Sequence, residues 1–232
     1  MKLPRSISAV LLVLLCVSVA STATAVAAVK KGELVSKATG KALTKKKFTS
    51  TLGLQTLETT GGLKQTCTSG SGSGEVTGTS TATQTLKFLG CQNLAGFKCK
   101  TGSLKAGEIE IANLAVTIGW KSGSSKEALV LLNTIPGTFS FECNETKNEA
   151  KGEFIAPVSA ENEGTANAKA KFSITAKQTK GVQAETAYET LAGKLETGQT
   201  LEVKLLKASE PFVQGAQEGT ETITLEEEAE FL

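Results

Sequence analysis

Thr138-Phe139-Ser140-Phe141-Glu142-Cys143 alternates polar and apolar residues at every step. A period of two puts Phe139, Phe141 and Cys143 on one face and Thr138, Ser140 and Glu142 on the other, the pattern of a strand with one side in a core and one in water. The same alternation recurs in Thr83-Gln84-Thr85-Leu86-Lys87-Phe88 and Glu108-Ile109-Glu110-Ile111. It returns from Ala168 to Thr175, from Leu201 to Leu205 and from Thr222 to Glu226. Leu114 to Trp120 and Ala128 to Leu132 are more continuously apolar and read as central strands, joined by a hairpin turn at Lys121-Ser122-Gly123-Ser124-Ser125. Thr60-Gly61-Gly62, Ser69 to Gly74 and Glu161-Asn162-Glu163-Gly164 read as turn clusters, and Ala184 to Leu195 as room for one short helix. Threonine occurs 31 times, which suits a half-exposed pleated surface. The expected fold is all-β: an antiparallel β-sandwich or flattened barrel of about ten strands.

The composition removes whole classes of chemistry. The 232 residues contain no His and no Asp, and the single Arg is Arg5. A Ser-His-Asp triad, a His-ligated metal and an Asp-rich calcium loop are therefore excluded, and no cofactor or metal is expected. Bidentate arginine recognition of phosphate or guanine is excluded outside the first few residues.

The N-terminus reads as a secretory signal spanning residues 1–28. Lys2 and Arg5 supply the positive end, Leu11 to Val17 lie in the apolar stretch, and small residues ending at Ala28 offer a cleavage site. The part beyond carries 23 Lys and 23 Glu, a balance that does not favour a nucleic-acid partner. No second apolar stretch approaches spanning length, so no membrane partner is expected after cleavage.

Four cysteines remain: Cys67, Cys91, Cys99 and Cys143. An even count in an exported chain implies two disulfides with three possible connectivities. The closest pair, Cys91 and Cys99, has seven residues between its members, too many for a zinc knuckle. Asn93 and Gly96 let that segment turn back, so Cys91 is expected to pair with Cys99. Cys67 and Cys143 both end strand-like runs and are expected to pair across or between sheets.

The charges segregate. Lys30, Lys31, Lys37, Lys41, Lys45, Lys46 and Lys47 face only Glu33, while Glu218, Glu221, Glu226, Glu227, Glu228 and Glu230 follow the last lysine, Lys207. Residues 29–46 read as a Lys-rich segment ahead of a single all-β domain at 47–232. The bland reading is two solvated ends; the sharper one is that they attract each other. The lysines are also a candidate contact for an anionic surface polymer such as teichoic acid or an acidic glycan, weak because lysine is a point charge.

Several motifs occur in order: Phe48-Thr49-Ser50-Thr51, Thr56-Leu57-Glu58-Thr59, Cys67-Thr68-Ser69 leading to Gly74-Glu75-Val76-Thr77-Gly78, and Phe88-Leu89-Gly90-Cys91. Gly96-Phe97-Lys98-Cys99, Ala106-Gly107-Glu108-Ile109, Phe139-Ser140-Phe141-Glu142-Cys143 and Lys177-Gln178-Thr179-Lys180-Gly181 follow. This set, from about Lys47 onward, resembles an uncharacterised family of secreted Thr/Gly/Lys-rich β proteins that occur as many paralogues in soil actinobacteria. The resemblance implies an exported, single-domain β protein of a Gram-positive bacterium and carries over no catalytic or binding residue.

Paired glutamates are the catalytic constellation that the composition leaves open. Glu108 and Glu110, and Glu226 and Glu228, are spaced to share a strand face about 7 Å apart. A sugar site also wants a stacking platform, and the chain has one Trp, Trp120, and one Tyr, Tyr188. Trp120 ends an apolar run and reads as core. The Ser69-to-Gly74 run lacks the Gly-Lys-Ser/Thr ending of a phosphate loop. The expectation is a secreted, non-catalytic, monomeric or weakly self-associating β domain of the cell envelope with a structural or binding role. The alternative is a polysaccharide hydrolase using two glutamates.

Overall fold

The structure is a computed structural model and describes residues 34–122, 127–160, 169–190, 193–205 and 211–231. The signal segment, Lys30 and Lys31 lie outside the described residues. The described chain is all-β, with eighteen strands, more than the ten expected. They are β1 Leu34–Ser36, β2 Lys46–Thr59, β3 Lys64–Cys67, β4 Ser69–Val76, β5 Thr81–Leu89, β6 Gln92–Asn93, β7 Cys99–Lys100, β8 Glu108–Trp120 and β9 Ala128–Cys143. There follow β10 Thr146–Ala160, β11 Lys171–Ala176, β12 Gln178–Thr179, β13 Val182–Gln183, β14 Ala187–Glu189, β15 Leu195–Thr197, β16 Leu201–Leu205, β17 Val213–Leu225 and β18 Ala229–Phe231. The surplus comes from short strands of two or three residues, which lie below the length at which alternation can be read. The stretch expected to hold a helix carries β14 and β15 instead.

The main ladder runs β2–β4–β5–β8–β9–β10 and returns through β11 and β17 to β2, antiparallel throughout. The closure is irregular. Between β10 and β17 one position is shared end to end by two strands: β16 pairs residues 148–152 of β10, and β11 pairs residues 158–160. Closing the sheet in this way removes most exposed edges, which would otherwise template aggregation.

Alternation fills the interior as expected. Leu86 and Phe88 of β5, Phe141 of β9, and Phe172 and Ile174 of β11 are all buried. Each contributes about 1.5–3 kcal/mol by leaving water. Three slips among the described strands shift the phase. In β9, against β10, the inward set changes from Val130 and Leu132 to Phe139 and Phe141. In β8 the pairing with β5 slips between Gln84 and Leu86, so the inward set changes from Ile109 and Ile111 to Leu114 and Val116. In β2 a slip against β17 changes it from Phe48 and Leu52 to Gln55 and Leu57.

Ser69 to Gly74 is not a turn but part of β4, a strand hydrogen-bonded to β2 on one side and β5 on the other. Its Ser/Gly alternation is a strand pattern with glycine as the inward residue. A β-carbon on Gly70 would stand 2.5 Å from the Lys87 carbonyl oxygen and 3.2 Å from Leu52 Cδ1. Side chains from both neighbours lean over β4 and leave no space there, as is usual where glycine interrupts a strand interior.

The disulfides are Cys67–Cys91 and Cys99–Cys143, which corrects the expected connectivity. Register is the reason. β4 pairs β5 with Ser69 opposite Leu89, and β3 pairs β6 with Thr66 opposite Gln92, so the same register sets Cys67, two residues before Ser69, opposite Cys91, two residues after Leu89. Cys99 of β7 is the direct partner of Cys143 in β9. Cys91 and Cys99 do meet through a backbone hydrogen bond of 3.0 Å, but each sulfur is taken by the strand across from it. Two disulfides fit a non-cytoplasmic, oxidising environment.

β1 pairs β18, and Leu34, Val35 and Leu43 are buried, so the described part of the Lys-rich segment closes one end of the fold. Lys46 Nζ reaches Glu227 Oε2 at 2.8 Å, and the Lys37 amide donates to the Glu228 carbonyl. The basic and acidic ends thus meet within one molecule.

Candidate functional site

The structure disperses the carboxylates singled out from the sequence. Glu108 and Glu110 do share the outer face of β8, but Glu108 Oε2 is held at 2.8 Å by Lys87 Nζ of the neighbouring strand. Such an open ion pair is worth roughly 0.2–1 kcal/mol. Glu226 and Glu228 fall between β17 and β18, outside either strand, so period-two spacing does not apply to them. Trp120 is buried in the core as expected, and its indole N–H meets no acceptor among the described residues. Tyr188 packs on Leu129, Leu131 and Ile155 in a satellite cluster. Lys41, Lys45 and Lys47 are exposed and Lys37 is half-buried, whereas Lys46 is committed to Glu227.

The residues that do converge are others. An open groove of about 390 Å³ is lined by Lys47, Thr49, Ser73, Glu75, Thr83, Thr85, Asn113 and Glu226, with Phe48, Gly74 and Gln84 beneath. It falls in the size range of ligand sites. Four strands, β2, β4, β5 and β8, and Glu226 just beyond β17 build it. Register sets Thr85 beside Ser73, Ser73 beside Thr49 and Thr49 beside Thr224. The next rank sets Lys87 beside Ser71, Ser71 beside Thr51, Thr51 beside Thr222 and Thr222 beside Ser173. Hydroxyls therefore repeat about every 4.8 Å across the strands and about 7 Å along them. Asn113 enters through the β8 bulge, with φ of 57°, a left-handed conformation that asparagine tolerates better than most residues. A bulge re-aims a side chain, and here it brings an amide to the groove opposite Thr85. Of the candidates named from the sequence, Lys47 and Glu226 lie in this groove.

The interior offers less room. Three cavities of about 50, 50 and 10 Å³ run along it; the first two share Leu57, Phe88, Ile111 and Phe139, and Gln217 borders all three. They fall well below the 300–1,000 Å³ of a small-molecule site. Beside the smallest lies Glu221, only 6% exposed, which accepts a hydrogen bond from Gln84 Nε2. Burial pushes its carboxyl above the ordinary range, opposed by hydrogen bonds from Ser50 and Gln84. Sequence parity already pointed inward for this residue: Glu221 is in phase with Ile223 and Leu225.

A second cluster sits on the outer face of β9 and β10, under the β14–β15 hairpin. Asn133 Nδ2 donates to Glu153 Oε1 at 2.7 Å, and Lys194 Nζ lies 2.6 Å from Glu196 Oε1. Burial raises the Glu153 pKa, opposed by Asn133 and assisted by the Glu196 charge. Burial also raises that of Tyr188, with the same two carboxylates adding to it. Among the described residues no group of three or more His, Cys, Asp or Glu is placed to hold a metal ion. Comparison with known protein families, curated proteins and solved structures finds no match for the chain.

Proposed function

We propose that this protein is an exported, non-catalytic binding domain of the cell envelope, and that it holds a hydroxyl-rich glycan strand in the groove over β2, β4 and β5. The observation that carries this reading is the groove itself. It gathers four hydroxyls, an amide, an ammonium and two carboxylates in about 390 Å³, and these groups donate to and accept from sugar hydroxyls. Each such bond nets only about 0.5–1.5 kcal/mol. With no exposed aromatic platform among its lining residues, the groove should act by repetition along a polymer rather than by tight capture of one sugar. The reading is non-catalytic because Glu221, a carboxylate that burial biases towards its protonated form, is enclosed in the core, whereas Glu226 of the groove stands in water. Export is supported by the signal-like N-terminus together with two disulfides. The exposed lysines Lys45 and Lys47 add a weak, salt-sensitive attraction to anionic wall polymers.

The test is retention of the purified protein on intact cell wall and on glycan arrays. Thr83→Val, Thr85→Val and Asn113→Gly together should lower retention several-fold with the fold intact, glycine keeping the left-handed conformation at 113. The same protein should release no product from a polysaccharide panel that includes peptidoglycan. Product release abolished by Glu75→Gln or Glu226→Gln would establish the hydrolase reading instead.

A further inference from the structure

The loop between β6 and β7 holds two large apolar side chains in water. Leu94 is 79% exposed and Phe97 48%. Most exposed loops carry such residues singly or fold them back, and clustered ones mark interaction sites. This loop cannot fold them back, because both its ends are fastened. Cys91, just before it, is bridged to Cys67, and Cys99, just after it, to Cys143. Between these anchors the backbone closes on itself. The Asn93 side-chain oxygen accepts from the amides of Ala95 (3.1 Å) and Phe97 (3.0 Å), and the Asn93 amide donates to the Phe97 carbonyl. Gly96 takes the left-handed conformation that the turn requires, with φ of 81°. The Leu94 amide is tied to the Lys64 carbonyl of β3. Little conformational entropy is left to lose on binding, which is how a preorganised contact gains affinity.

The charge around the loop identifies its partner. From Gln92 to Gly107 there are three lysines, Lys98, Lys100 and Lys105, and no acidic residue. Lys98 and Lys105 are exposed, and Lys100 is shared with Glu142 at 3.2 Å. Two apolar side chains on a narrow turn, with Lys98 next to Phe97 in the chain and within 3.4 Å of Gln92 Oε1, and Lys105 in the connection that follows β7, match a lipid interface. The tip enters the acyl boundary while the lysines remain among anionic headgroups. A protein partner would ask for a broader complementary surface than a seven-residue turn presents.

We propose that the 92–98 loop docks the protein peripherally on an anionic phospholipid bilayer through Leu94 and Phe97, with Lys98 and Lys105 at the headgroups. No helix among the described residues is long and apolar enough to cross a membrane, and peripheral docking needs none. The inference is independent of the groove: it places the domain against a lipid surface whatever the groove binds.

The test is sedimentation with vesicles of equal parts phosphatidylglycerol and phosphatidylcholine, compared with pure phosphatidylcholine. The protein should bind the anionic vesicles and not the neutral ones. Leu94→Ser with Phe97→Ser should reduce binding at least about tenfold, since both tip side chains lose their place in the acyl boundary. Lys98→Gln with Lys105→Gln should reduce it by a similar factor. Leu54→Ser, which removes another exposed leucine (62%), on β2, should leave binding unchanged. All these positions are on the surface, so the fold survives the changes. A Phe97→Trp variant should show a blue-shifted indole emission on anionic vesicles. No binding by the unsubstituted protein, or binding that persists in the Leu94/Phe97 double variant, overturns the proposal. So does concentration-dependent self-association that the double variant abolishes in the absence of any vesicle binding.

Discussion

Replacing Gly70 by alanine separates two accounts of the Ser69-to-Gly74 run. If the run were a surface turn, alanine would be harmless. In the structure, the new β-carbon stands 2.5 Å from the Lys87 carbonyl oxygen, 3.2 Å from Leu52 Cδ1 and 3.3 Å from Phe88 Cα. Two of these atoms are backbone and cannot rotate away. The β4–β5 ladder must open by about half an ångström to bring the shortest contact near 3.0 Å. Overpacking of this kind costs about 1–3 kcal/mol. Alanine returns roughly 0.5–1 kcal/mol by restricting the unfolded chain. The net loss should be about 1–2 kcal/mol, a fall in Tm of roughly 3–6 °C for a domain of this size. Gly61→Ala is the matched control: it lies in a turn, outside the left-handed region, with its nearest neighbours at 3.8 and 4.0 Å. It should gain about 0.4–1 kcal/mol. Differential scanning calorimetry on the two variants decides the matter. A Gly70→Ala protein that melts at or above the parent temperature would mean that the β4 glycines do not face a filled interior.

Other consequences are open to measurement. Non-reducing peptide mapping should recover Cys67–Cys91 and Cys99–Cys143. Removing each bridge should cost about 3.5 and about 4 kcal/mol respectively, from loops of 24 and 44 residues, and a reversed order would count against the loop-closure account. Glu221 has its folded-state pKa raised above the ordinary 4.5 by burial, so the native state keeps a proton that the unfolded chain has already released. Its stabilising effect is full below pH 4.5 and is lost as pH rises through the folded value. Glu221→Gln should accordingly stabilise the protein at neutral pH, with the gain shrinking on acidification; a pH-independent change in denaturation midpoint would refute this. Lys37, Lys41, Lys45 and Lys47 changed together to Gln should weaken salt-sensitive retention on teichoic-acid-bearing wall. Deleting the segment would not test this, since Leu34, Val35 and Leu43 belong to the core. Retention that survives molar salt, where screening falls to about 3 Å, would dismiss the electrostatic contact.

The inward and outward faces were legible because alternation is a local property. Phe139 and Phe141, or Phe172 and Ile174, announce their side of the sheet without reference to any partner. Cysteine pairing was not legible in the same way, because it depends on register between strands. Nothing near Cys67 says that it lies opposite Cys91 until Ser69 is known to pair with Leu89. β4 was hidden by composition: serine and glycine are turn residues by frequency, yet their order was already the order of a strand. The groove was least legible, since its lining comes from strands distant in the chain. Even so, one signal was present. The apolar positions of β8 run 109, 111 and then 114, 116, and a phase shift inside a strand requires a bulge. That bulge is what delivers Asn113 to the groove. A break in the alternation therefore marks a change of facing, and only register shows its use: the slip in β8 brings Asn113 to the groove, whereas the slip in β2 turns Gln55 and Leu57 into the interior.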